Sequence, residues 1–352
     1  MSCSHEMSLG SENFFDRLPD EILHSVFIRL RDAKFLCVSM AVCRRFRSIV
    51  PQVDEIFLRV PRKNPVTHDH ENGSWSRVLS KNLLVRTLIF KPMRFISGLM
   101  RLKGKNEECS CDGCSYHTPN EILKPFEEIR SLHVRIPSYG DKNMGSKAGR
   151  EGKQAANLLK WKAEFGSQMQ SCVILGAKSC LEIKKTGEST LCDQTVREAD
   201  LIADAELKLR IVWTISCLIA ASARHELIRE IVKDQRNIEN VVISDESGQG
   251  KVCMNRGQIE EMRNSKKKGD DQVHSLSMKM WYVEKLEVPS LGKVMEGATV
   301  VAIRPSGSSG YGGMEELVAA AFGGDGEGMV VGEAVGRLMA ASRCYTLEIS
   351  SF

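Results

Sequence analysis

The side chains best equipped for chemistry in this chain are Cys109, Cys111, Cys114 and His117, gathered in the segment ECSCDGCSYH. Thiolate and imidazole groups are zinc ligands, and four of them could close a tetrahedral site. Nine residues is a cramped span for that, because structural zinc sites usually draw two ligands from each of two separated turns; a polar surface loop is the competing reading. With no general base beside it, a zinc ion held there would order the loop rather than catalyse a reaction. The glycine-rich stretches PSGSSGYGG at 305–313 and GGDGEG at 323–328 lack the lysine and Ser/Thr of a phosphate-binding loop and the spacing of a dinucleotide fingerprint. They read as flexible connectors. The eight histidines are dispersed from His5 to His274 and assemble no Ser-His-Asp or Cys-His constellation. The KKK run at 266–268 could touch phosphate or serve as a nuclear address, but Asp270 and Asp271 neutralise it, so a solvated loop is the simpler reading. The expectation is therefore a chain with no catalytic residue and no cofactor.

What must position such residues is bounded by composition. A chain of 352 residues is long enough for two or three domains, or for one small module and a larger folded body. A charged fraction of 27% with 6% aromatics fits a soluble folded protein, and a net charge of +4 is too small to announce a nucleic-acid partner. The twelve cysteines are scattered, and Cys37, Cys43 and Cys217 fall in apolar helical patterns, which predicts reduced, buried thiols rather than a disulfide framework. The opening MSCSHEMSLGSENFF has no basic start followed by an apolar run, so the expected home is the nucleus or the cytoplasm. The most apolar helical stretch, 211–221, spans about half of the roughly 20 residues a membrane crossing needs, and Thr214 and Ser216 interrupt it. It reads as a buried core helix, with no membrane partner.

Residues 14–50 carry the clearest local signal. Ile22, Leu23, Val26, Phe27 and Leu30 recur at helical spacing. Pro19 suits the first turn, Asp20 and Glu21 oppose the positive end of the helix dipole, and Asp32 can cap a second helix containing Leu36, Met40 and Cys43. Two or three short helices in about 40 residues have too little interior to bury all these side chains, so part of this surface needs a partner.

The ordered positions Leu18, Pro19, Glu21, Ile22, Leu23, Val26, Phe27, Leu30, Asp32, Leu36, Val42, Cys43 and Phe46 closely resemble the F-box motif over its whole length. The resemblance implies a small all-α module at 14–60 that docks on a Skp-family adaptor and, through it, on the cullin and RING subunits of an SCF-type ubiquitin ligase. The residues it assigns to the adaptor are Leu18, Pro19, Ile22, Leu23, Val26, Phe27, Leu30, Leu36, Val42, Cys43 and Phe46. Of these, Leu18, Pro19, Ile22, Phe27 and Leu36 are expected to contribute chiefly through buried area. The stretch WKAEFGSQMQSCVILGAK at 161–178 is similar to plant members of the family.

The rest of the chain, 75–352, alternates strand-like runs with polar stretches: LLVRTLIF at 83–90, IRSLHVRI at 129–136 and SCVILGAK at 171–178. Loops are expected near 101–120, 138–153, 264–271 and 305–313. Aligning Leu88, Leu132, Ile174, Val242 and Leu286 gives separations of 44, 42, 68 and 44 residues, a weak repeat. A helix before the fourth run carries Leu207, Ile211, Ile215, Leu218, Leu227 and Ile231 on a broad apolar face. The expected body is α/β with a largely parallel sheet, either a degenerate leucine-rich-repeat-like solenoid or a compact α+β domain. Its expected role is to hold an unidentified protein substrate for ubiquitination. The competing reading is a scaffold that binds the adaptor without productive ubiquitination.

Overall fold

The computed structural model describes residues 14–60, 119–137, 158–182, 204–265, 275–306, 313–322 and 327–349. Three short helices come first: α1 (Asp20–Leu30), α2 (Ala33–Val42) and α3 (Arg44–Ile49). Asp32 caps α2, accepting a hydrogen bond from the backbone N–H of Lys34 at 3.0 Å, as its residue type predicts. Arg31 ends α1 with φ +52°, a left-handed turn unusual for a side chain with a Cβ, and its carbonyl accepts from the N–H of Phe57 at 2.8 Å. That bond carries the chain onto strand β1 (Glu55–Arg59).

The remaining described elements are α4 (Pro119–Leu123), β2 (Ser131–Ile136), β3 (Leu158–Phe165), β4 (Met169–Ala177), β5 (Ser179–Glu182), α5 (Asp204–Asp234), β6 (Asn240–Asp245), β7 (Gly250–Met254), α6 (Arg256–Asn264), β8 (Leu276–Val288), β9 (Lys293–Pro305), α7 (Met314–Phe322), α8 (Glu327–Ala341) and β10 (Arg343–Ile349). The strands form one sheet in the order β1-β2-β6-β7-β3-β4-β9-β8-β10, with β5 also paired to β9. β1/β2, β2/β6 and β3/β7 are parallel; every other described pair is antiparallel. β8 and β9 make the longest pair, turned at Gly292, whose φ of +57° a residue with a Cβ adopts only at a cost.

The body is thus a mixed α/β sheet, and this corrects the expectation of a largely parallel one. A leucine-rich-repeat-like solenoid is not shown. Its strands would stack in chain order and in one direction, whereas β3, β4 and β5 leave the sequence between β2 and β6 and pair elsewhere in the sheet. Leu132, Ile174, Val242 and Leu286 do lie on strands, but only Leu132 and Val242 fall on neighbours; Leu88 is outside the described residues.

Burial follows the strand period. β2 alternates half-buried and buried positions, as expected when one face meets the core, whereas β4 from Ser171 to Ala177 is buried throughout because helices cover both of its sides. On one side α5 packs against β3, β4, β6 and β7; on the other, α7 and α8 pack over β4, β8 and β9. α5 is long and apolar enough to cross a membrane by length and composition, but its inner side is seated on the sheet. That side presents Arg210, Thr214, Arg224 and His225 along with Trp213, Cys217 and Ile228, while Ile211 and Ile215, expected on the apolar face, stay 40% exposed. The described cysteines are free thiols, and burial pushes Cys172 up to about 12 and Cys217 well above its ordinary value.

The helical module and the body share one apolar core. Leu23, Phe27 and Leu36 belong to the same buried cluster as Ile56, Leu132, Val241 and Ile303. β1, inside the residues assigned to the first module, is the edge strand of the body's sheet and pairs in register with β2.

Candidate functional site

The zinc candidate, Cys109 to His117, lies outside the described residues, and among those described no group of His, Cys, Asp or Glu could hold a metal ion. The surface that asks for a partner lies on α1 and α2. Of the ten large apolar side chains left exposed among the described residues, seven are Phe15, Ile22, Val26, Leu30, Phe35, Val38 and Val42. They form two stripes. Ile22, Val26 and Leu30 follow one another at i, i+4 and i+8 along α1; Phe35, Val38 and Val42 follow at i, i+3 and i+7 along α2.

The same helices also carry an inner face. Leu23 and Phe27 of α1 and Ala33 and Leu36 of α2 are buried, with Leu36 at 0% exposure. Adjacent apolar residues on a helix are about 100° apart, so the pairs 22/23 and 26/27 widen the apolar arc beyond what the interior receives. One stripe folds the module and the other remains outside.

The outer stripes are held in place by polar clasps. Arg45 of α3 pairs with Asp20 at the start of α1 at 2.6 Å and donates to the carbonyls of Phe15, at 2.9 Å, and Leu18. Phe46 stacks edge-on against Phe27, with ring centroids 5.1 Å apart, and Cys43 caps α3 by accepting from the Phe46 N–H. Arg31 pairs with Glu55 of β1 at 2.8 Å, and Asp32 bridges to Phe57, fixing the α1–α2 corner to the sheet edge.

The comparisons with known proteins converge on these helices. Residues 15–56 match the F-box-like family. The chain is 35% identical to F-box protein At5g46170 of Arabidopsis thaliana, covering 96% of this chain and 93% of that one. It is 34% identical to F-box protein At4g18380 and 33% identical to F-box protein AUF1 of the same plant, over 96% of this chain and 94% and 99% of theirs.

The chain is a plant F-box protein. No solved structure matches it. Within the F-box, the residues assigned to the adaptor separate by burial. Ile22, Val26, Leu30, Val42, Pro19 and Cys43 are exposed, Leu18 and Phe46 are half-buried, and Leu23, Phe27 and Leu36 are enclosed by the chain's own core. Phe27 and Leu36 therefore have almost no surface to give to another protein. Phe15, Phe35 and Val38 complete the exposed surface; the spacing 35/38/42 was a legible signal for two of them, overshadowed by the buried Leu36.

Proposed function

We propose that this F-box protein is the substrate-recognition subunit of an SCF-type ubiquitin ligase, docking through its helices on a Skp-family adaptor while the sheet body holds a protein substrate. The cullin and RING subunits would then be reached through the adaptor, in the nucleus or the cytoplasm. The observation that carries the reading is the pair of exposed apolar stripes on α1 and α2. Exposed apolar surface is common, but its concentration on two adjacent helices is the signature of an interface core. Such a subunit works by proximity: holding a substrate's lysines near the activated ubiquitin raises their effective concentration and needs no acid, base or nucleophile from this chain.

Co-expression with a Skp-family adaptor tests the proposal. The full chain should co-purify with it, and a variant carrying Ile22→Asp and Val38→Asp should not, while keeping its circular dichroism and cooperative unfolding, because both positions are at least half exposed. Retention of the adaptor by the folded variant would overturn the docking surface. Failure of the intact chain to bind would overturn the ligase reading itself.

A further inference from the structure

Among the described residues the body has its own unsatisfied surface, on the side of the sheet opposite α5. There β1, β2, β6, β7 and β3 bring Arg59, Arg135, Ser244, Lys251 and Lys162 into a single row. Arg59 pairs in register with Arg135, Arg135 with Ser244, Ser244 with Lys251, and Lys251 with Lys162. Four cations thus stand on five consecutive strands. At about 4.8 Å between strands the row is about 19 Å long. All five side chains are exposed or half-buried.

Like charges on facing positions of neighbouring strands repel, so the row costs stability unless anions meet it. Lys162 has one, Glu164, at 2.7 Å. Among the described residues Arg59, Arg135 and Lys251 pair with no carboxylate; the two guanidiniums instead lie over the Phe57 ring, at 5.3 and 4.9 Å. Among the described residues the buried Nε of Arg135 has no acceptor. Burial and the positive charge of Arg135 and Lys251 lower the pKa of His133, the preceding residue on the same side of β2, and it shares a 2.8 Å hydrogen bond with Ser244. Where the row meets the end of α1, a groove of about 410 Å³ opens, lined by Arg29, Arg31, Arg59, Arg135 and His133 together with the carboxylates of Asp32 and Glu55.

We propose that this open side of the sheet seats an extended, acidic segment of the recognised protein, crossing the strands with its carboxylates on the Arg59–Arg135–Lys251–Lys162 row. An extended chain places same-side residues about 7 Å apart, so about six residues span the row and an acidic residue at every second position meets its cations. A nucleic acid fits less well. Glu164 stands on the row beside it and Glu55 on the row beyond that, and the ring of Phe57 is already taken up by two guanidiniums instead of being free to stack on a base.

The assignment rests on the body being the substrate-holding part, so the test reads the two claims separately. A fluorescein-labelled peptide of five Glu-Ser repeats is titrated with the purified full chain and its anisotropy followed, beside a Lys-Ser peptide and a ten-nucleotide thymidine oligomer. The Glu-Ser peptide should bind at low salt and be released as salt rises, with the Lys-Ser peptide inert and the oligomer weaker. An Arg59→Gln/Arg135→Gln/Lys251→Gln variant should lose on the order of tenfold or more in affinity. A Lys285→Gln/Arg337→Gln variant, altered away from the row, should not. Adaptor co-purification by the triple variant shows that it is folded. Absence of Glu-Ser binding by the intact chain, equal binding by the folded triple variant, or preference for the oligomer would each overturn the assignment. Loss of adaptor binding with peptide binding intact would instead count against the ligase reading alone.

Discussion

Neighbouring residues Val26 and Phe27 should respond to truncation in opposite ways, because one faces out of the F-box and the other into it. Phe27 is 4% exposed and packs edge-on against Phe46, so Phe27→Ala opens a cavity worth about 3–5 kcal/mol, a large share of the roughly 5–15 kcal/mol that holds a domain folded. Ile22, Val26 and Val38 are 50%, 53% and 58% exposed, and replacing them with alanine removes little that the folded chain uses while supplying a better helix former. Their cost falls on the complex. The triple truncation deletes seven carbons; at about 0.8 kcal/mol per buried methylene, with about half of each side chain still available, about 3 kcal/mol of docking energy is lost, on the order of a hundredfold in Kd. Urea unfolding and calorimetric titration with a Skp-family adaptor separate the two effects. Phe27→Ala should lower the unfolding midpoint, and the triple variant should keep its midpoint and bind about a hundredfold more weakly. The reasoning fails if the triple variant binds as the parent does, or if Phe27→Ala leaves the midpoint unmoved.

Three further expectations concern the body. Asp245→Ala removes the partner of Arg224, a pair at 2.7 Å with both side chains under 10% exposed, along with the acceptor for the N–H groups of Gln249 and Gly250; a loss of about 3–5 kcal/mol in chemical unfolding is expected, and a loss under about 1 kcal/mol would show that the pair is not isolated from water. His225, stacked on Phe165 and donating to the Gly166 carbonyl, is lowered by burial from 6.5 to about 4. The folded chain favours its neutral form, so its contribution is whole above pH 6.5 and is lost as pH falls through about 4, a total of about 3 kcal/mol. Unfolding of His225→Gln should accordingly be less sensitive to acid over that window, and an unchanged pH slope would contradict the assignment. At Gly176 a Cβ would stand 2.6 Å from the Trp213 ring, and Gly176→Ala should cost about 1–3 kcal/mol by overpacking, read as a lower thermal midpoint.

The helices and many strands were legible because their signals are local. Asp32 caps the helix its type predicts, IRSLHVRI contains β2, and SCVILGAK covers most of β4. What escaped depends on residues far away in the chain. Whether Leu23 or Ile22 faces inward is decided by α2, α3 and the turn at 50–52, against which α1 packs, not by the helix's own sequence. The face of α5 was legible only in part: Leu218 and Ile231 are buried and Leu207 and Leu227 pack on the core, but Ile211 and Ile215 stay outside because the inner side uses Arg210, Thr214, Arg224 and His225, which bond to Thr299, the Arg210 carbonyl, Asp245 and Gly166. Hydropathy assigns those residues to water and gives Ile211 and Ile215 to the core. Strand direction was equally hidden, since β3 pairs parallel with β7 across a gap of more than eighty residues and antiparallel with its own neighbour β4.

The strand β1 does more than close the sheet's edge. With Arg31 bonded to both Glu55 and Phe57, and with Leu23 and Phe27 packed in the same core as the body, the α1–α2 corner is tied directly to the described strands beyond it. A protein held by the body would therefore ride on a stiff bracket instead of a tether. Its orientation toward the rest of the assembly would be set once, by the angle at which β1 leaves the corner. Under such a mount, selection among a substrate's lysines becomes a matter of aim: a residue on the wrong side stays out of reach however long the complex lasts.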